Sequence, residues 1–152
     1  MSEIGNYALH FLNENELNYK TKDYEFRGLP VQIENPIGTT RSGKNQDGTE
    51  WSTLMKCDYG RVEGTSGRDD DMLDVFVGTD LTSPFVYCIM QMNPCTGQFD
   101  EHKYVLGMCS AEEAKEMYLC HYDKPEYFGS IMTLRFDDFK KMCKTNIKSN
   151  LN

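Results

Sequence analysis

The sequence predicts a mainly β fold with α-helices (α+β), a small barrel with a helix packed on it, of which an OB-like barrel is one form. Three observations lead there. Between Tyr24 and Gly107, short apolar or alternating runs are punctuated by Gly, Pro, Asn and Asp, as strands joined by turns are. Nine tyrosines and eight phenylalanines carry much of a modest hydrophobic content, which favours strands over helix bundles. A capped helical pattern follows only later, from Ser110.

Taken in order, residues 1–22 mix Tyr7, Leu9, Phe11, Leu12 and Leu17 with polar residues and are read as an N-terminal extension with room for a short helix. Tyr24–Arg27 and Val31–Glu34 alternate as half-buried strands do, with Gly28 and Pro30 between them. Thr39 to Thr49 is polar, and its Asp47-Gly48 pair signals a hairpin turn. Trp51–Met55 returns as a strand and Arg61–Thr65 is a further short run. Leu73–Val77, Phe85–Met92 and Lys103–Gly107 are the most strand-like segments. Ser110 with Glu113 three residues on forms a capping-box pattern for a helix ending near Asp123. A strand at Ile131–Leu134 and a short helix at Asp137–Met142 complete a folded domain spanning residues 23–144, and residues 145–152 are a polar, flexible tail.

At 152 residues the chain suits one domain with a real core. Its net charge of −8 argues against general nucleic-acid binding, which calls for a basic face. No run approaches the roughly 20 apolar residues of a membrane span. Residues 1–18 lack a basic start followed by an apolar run, so no secretory leader is expected. The six cysteines form no C-x-x-C pair, and reduced thiols in a cytoplasmic protein are the reading.

The chemistry concentrates at Asp69-Asp70-Asp71-Met72-Leu73-Asp74. Four carboxylates within six residues repel one another unless solvated or bridged by positive charge. Asp69, Asp71 and Asp74, spaced D-x-D-x-x-D, suit hard cations such as Mg2+; a solvated acidic turn is the competing reading. An EF-hand is excluded, because the sixth and twelfth positions are Asp74 and Asp80 rather than Gly and Glu. A second cluster joins Asn93 to Asp100-Glu101-His102-Lys103, and a hairpin would bring Asn93 and Asp100 beside the first cluster. Arg41 and Lys44 read either as solubilising charges or as an anion clamp. Tyr59 and Tyr122 read either as core residues or as ligands.

Taken together, Ile33-Glu34-Asn35-Pro36, Ser52-Thr53-Leu54-Met55 leading to Asp58-Tyr59-Gly60, Asp69-x-Asp71-Met72-Leu73-Asp74, Asp100-Glu101-His102-Lys103 and His121-Tyr122 resemble the soluble, family I inorganic pyrophosphatases. The short pyrophosphatase-like domains of bacteriophage proteins are the most similar version, which implies a phage source and the host cytoplasm. The resemblance implies a five-stranded closed OB-like barrel with flanking helices. It implies Mg2+ held by Asp69, Asp71, Asp74 and Asp100, with Asn93 at a weaker position. Asp71 would take the proton from the attacking water, and Arg41, Lys44, Tyr59, Lys103 and Tyr122 would grip the phosphates. The partner is then pyrophosphate or another phosphorylated small molecule, and a homo-oligomer is compatible with the chain.

This sequence departs from the family pattern at several points. Asp70 and Met72 stand for Gly and Pro, Asn93 for Asp, Asp123 for Lys and Gly43 for Glu, and an Arg before the S-T-x-M run is missing. Fewer bases around the phosphates imply a slower enzyme or a larger substrate. The expected activity is Mg2+-dependent pyrophosphate hydrolysis. The alternatives are hydrolysis of a nucleotide or signalling phosphoanhydride or phosphodiester, and a non-catalytic module that binds a phosphorylated ligand.

Overall fold

The computed structural model describes residues 22–65 and 72–151, and side chains within 23–65 and 72–144. The expected helix in the N-terminal extension, together with Asp69, Asp70 and Asp71, lies outside the described residues. Among the described residues the strands are β1 (Lys22–Phe26), β2 (Leu29–Asn35), β3 (Thr40–Lys44), β4 (Glu50–Leu54), β5 (Asp58–Val62), β6 (Leu73–Val77), β7 (Phe85–Met92), β8 (Phe99–Leu106) and β9 (Phe128–Arg135). Helix α1 is Ala111–Leu119 and helix α2 is Phe136–Leu151. A 3-10 turn, Pro125–Tyr127, leads into β9.

Seven strands form one sheet in the order β1-β2-β5-β6-β8-β7-β9, and β3 and β4 form a separate hairpin. The expected five-stranded closed barrel is therefore wrong, although mostly β with two helices is right. Closure fails for a topological reason. β1 pairs with β2 and β9 with β7, so the sheet keeps two edges. Each face is also covered by its own helix, which leaves no single interior to wrap around.

Strand alternation produces the two faces. On β6, Leu73, Val75 and Val77 point into a cluster with Val31, Ile33, Val86 and Leu106, closed by Phe136, Phe139 and Cys143 of α2. Phe76 points the other way, into a cluster with Tyr59, Tyr87, Ile89 and Val105, closed by Ala114 and Tyr118 of α1. The capping box holds: Ser110 Oγ accepts from the Glu113 amide at 3.1 Å. The Glu113 carboxylate reaches back one residue further than the pattern requires, accepting from the Cys109 amide at 2.6 Å.

Backbone contacts are close where β5 crosses β2. A Cβ on Gly60 would lie 1.8 Å from the Gln32 carbonyl oxygen, so only glycine fits there. The β1–β2 turn uses Arg27 and Gly28, both at positive φ. Lys140 of α2 donates to the Arg27 carbonyl at 3.0 Å and fixes that turn against the helix. All six cysteines are free, and no described helix is long and apolar enough to cross a membrane.

Candidate active site

The α1-side face of the sheet carries, at one end, the charged residues that the pattern of strands brings together. Tyr59 stands on β5 and Asp74 on β6. Glu101 and Lys103 stand on β8, two residues apart and so on one face. β6 and β8 pair in parallel with Val75 opposite Tyr104; one step earlier in that register sets Asp74 beside Lys103.

Lys103 is the centre of the cluster. Its side chain is only 3% exposed, and Nζ lies 2.8 Å from Asp74 Oδ2 and 3.0 Å from Glu101 Oε2. The same ammonium donates to the Tyr59 hydroxyl at 2.8 Å. Burial works against the charge, but the phenols of Tyr59 and Tyr122 and the carboxylates of Asp74 and Glu101 outweigh it and hold the pKa well above the usual lysine value. Lys103 is thus a fixed cation.

Arg41 adds a second positive group from the hairpin. Its Nη2 donates to the Tyr59 hydroxyl at 3.4 Å, and its guanidinium carbon lies 4.3 Å from the Tyr59 ring centre. Burial raises the Tyr59 phenol to about 12, against the pull of Lys103 and Arg41. The Tyr59 oxygen accepts from two cations while keeping its own proton, which it can donate to an anion. Tyr122, just past α1, is likewise raised by burial and lowered by the same two cations. Its ring stacks 4.5 Å from Tyr118 and 5.0 Å from Tyr127.

The hairpin is anchored at its base by His121. The ring Nδ1–H donates to the Met117 carbonyl at 2.7 Å, and Nε2 accepts from the Lys56 amide at 2.9 Å. Burial lowers the His121 pKa, helped by Lys56 and Arg41. This neutral imidazole ties the chain after β4 to the end of α1.

The structure brings Arg41, Tyr59, Asp74, Lys103 and Tyr122 to one place. Lys44 is not among them: alternation along β3 turns it to the face opposite Arg41. Asn93 caps the β7–β8 turn, its Oδ1 accepting from the Cys95 and Thr96 amides at 2.8 and 3.2 Å. Asp100 sits where the β7–β8 register shifts, and its Oδ2 accepts from Gln91 Nε2 at 3.0 Å. Gln91 in turn accepts from the Tyr118 hydroxyl at 2.7 Å.

Two residues make contacts to which the sequence reading gave no role. Glu101 shares Lys103 with Asp74; its signal was the i, i+2 spacing to Lys103. Thr65 is buried, donates to the Val62 carbonyl at 2.6 Å and accepts from the Leu73 amide at 3.0 Å. It pins together the two chain ends between which residues 66–71 run.

Among the described residues no group of three His, Cys, Asp or Glu is placed to hold a metal ion. Asp74 and Glu101 are oxygen donors of the kind Mg2+ takes, but both are tied to Lys103. The described donors therefore fit a hard cation in kind and not in number. No curated protein matches the chain. A family model described as inorganic pyrophosphatase matches residues 12–144.

Proposed function

The chain belongs to the inorganic pyrophosphatase family, which ties it to a pyrophosphate-type substrate, and on that premise we propose that it hydrolyses pyrophosphate to phosphate with Mg2+. The observation that supports this most is the Lys103 ammonium, buried beside Tyr59 and Arg41 with its pKa raised by its anionic neighbours. A cation fixed in a dry setting stabilises a departing phosphate without reorganisation at the moment of reaction.

Asp69, Asp71, Asp74 and Asp100 would hold the metal, with Glu101 beside them and Asn93 further out at the turn. When bound, Mg2+ supplies charge neutralisation and a more acidic water. The remaining work falls to the chain. Arg41 and Lys103 would draw the phosphate oxygens together, and Tyr59 and Tyr122 would donate their phenolic protons to them. The Asp71 carboxylate would accept the proton of the attacking water. Asp74 and Glu101 would keep Lys103 in place, so that its charge stands at one position beside the phosphates.

The reading also takes residues 23–144 as the working domain. Its test is phosphate release from pyrophosphate in Mg2+, for the wild type and for Asp71→Asn. Loss of about 100-fold or more in kcat is expected for the variant. Absent wild-type activity, or activity indifferent to the substitution, would sink the proposal.

A further inference from the structure

Both neighbours of β7 lose register beside Gln91. Toward β8, Gln91 pairs with Glu101 and Met92 with Phe99, so Asp100 is the extra residue. Toward β9, Met90 pairs with Ser130 and Gln91 with Phe128, so Gly129 is extra. A β-bulge re-aims a side chain. Alternation from Glu101 and Lys103 would turn Asp100 to the α2-side face; the bulge brings it back to the side of α1, where it meets Gln91. The facing bulge needs glycine, because a Cβ on Gly129 would come 2.7 Å from Met92 Cγ and 2.9 Å from the Met90 carbonyl oxygen.

Gln91 is buried, and a buried amide needs partners for both of its ends. An ionised carboxylate only accepts, so the NH2 end faces Asp100, with Nε2 donating to Oδ2 at 3.0 Å. The carbonyl end is left to Tyr118, whose hydroxyl donates to Oε1 at 2.7 Å. That hydroxyl also lies 3.3 Å from the Tyr127 carbonyl oxygen, and its one proton serves the shorter contact. Tyr118 is fully buried, and its ring stacks on that of Tyr122. Donation therefore runs one way, from the tyrosine stack through Gln91 to Asp100. A glutamate here would repel Asp100, and a methionine of similar size would make neither bond.

We propose that Gln91 is a positioning residue of the candidate site: its amide holds the Asp100 carboxylate on the face of Glu101 and Lys103 and ties it to the tyrosine stack that ends in Tyr122. The inference rests on the reading of Asp100 and Tyr122 as parts of a Mg2+ and phosphate site. Gln91 itself touches neither the ion nor the phosphate. It acts by keeping an exposed carboxylate in one orientation, as the outer partners of metal-binding side chains do. Because the same amide is held by Tyr118, that orientation depends on the helix whose end carries Tyr122. Occupation of one end of the site then favours occupation of the other.

The test is calorimetric titration of full-length protein with two probes, Mg2+ alone and methylenediphosphonate in Mg2+. Wild type, Gln91→Met, Asp100→Asn and the double variant are compared. Gln91→Met keeps the volume and loses both hydrogen bonds. It should weaken Mg2+ binding roughly tenfold in the wild-type background, and by less than about twofold where Asp100→Asn is already present. Affinity for methylenediphosphonate should fall in step. Tyr118→Phe removes one hydroxyl and keeps the ring; a loss of the same kind, about threefold, is expected, and this variant carries the test if Gln91→Met does not fold. An equal loss in both backgrounds means that Gln91 acts through packing alone, and overturns the proposal. Mg2+ binding unchanged in Gln91→Met and Tyr118→Phe also overturns it, while phosphate release by the wild type keeps the hydrolase reading standing. Conversely, Mg2+ affinity that falls as expected, in a protein whose wild type releases no phosphate, overturns the hydrolase reading and keeps the role of Gln91.

Discussion

A buried ammonium such as that of Lys103 persists only with partners, because taking a charge out of water costs several kcal/mol before any attraction is counted. Here the partners are two carboxylates and a phenol. Lys103→Met leaves Asp74 and Glu101 facing each other. Because those two side chains are 25% and 35% exposed, we expect a loss of roughly 1–3 kcal/mol, below that of a fully buried pair. Urea unfolding measures it, and phosphate release should fall far more steeply than stability. Thr65→Val tests the joint between Val62 and Leu73 on either side of residues 66–71. The hydroxyl is the donor to Val62 and the acceptor for Leu73, so its removal should cost roughly 1–3 kcal/mol and weaken Mg2+ affinity in calorimetric titration.

His121 makes a prediction about pH. The native state holds it neutral, with its pKa lowered chiefly by burial. The unfolded chain takes up a proton near pH 6.5, so below that pH the unfolded state binds more protons than the native one. Stability from this group is full above about pH 6.5 and declines as the pH falls, levelling off beneath the depressed native value. Unfolding of wild type and His121→Gln between pH 7.5 and 5.5 should show the steeper decline in the wild type; parallel curves would contradict it.

At the level of elements, much of the strand pattern was legible and some was hidden for identifiable reasons. β6 and β7 emerged with the bounds expected, since strands largely buried on both faces are mostly apolar, each with one polar residue, Asp74 and Gln91. β3 was read only as part of a polar stretch before a hairpin turn, because one of its faces is exposed and its residues are polar. β8 begins at Phe99, four residues before the expected start, because its first turns of pleat carry site residues instead of core. For the same reason Glu101 was named in a cluster but given no role: a run of four polar residues reads as a turn until it is laid out as a strand. Gly60 offers the sharpest test of an element. Gly60→Ala forces β5 off β2 against backbone that cannot yield, and a loss of roughly 3 kcal/mol is expected, visible as a lower urea midpoint.

For the molecule as a whole, the closed barrel failed because closure is a statement about partners, and the sequence of one strand does not name its neighbour. Arg41, Tyr59, Asp74, Lys103 and Tyr122 are far apart in sequence and adjacent in the structure. They come from β3, β5, β6, β8 and the end of α1, so the cluster exists only in the assembled sheet. Lys44 stands apart from that group, since a shift of one residue along a strand changes the face.

Among the described strands, β6 and β8 make the one parallel pairing. Parallel neighbours cannot be joined by a tight turn, and here the Asp74–Lys103 contact spans 29 residues of chain. The ion pair therefore forms after the β7–β8 hairpin, whose closure is local, and after that hairpin has docked on β6. During refolding, secondary structure should return before the ability to bind a phosphate ligand does. Recovery of ligand binding thus becomes a clock for the last long-range step of assembly.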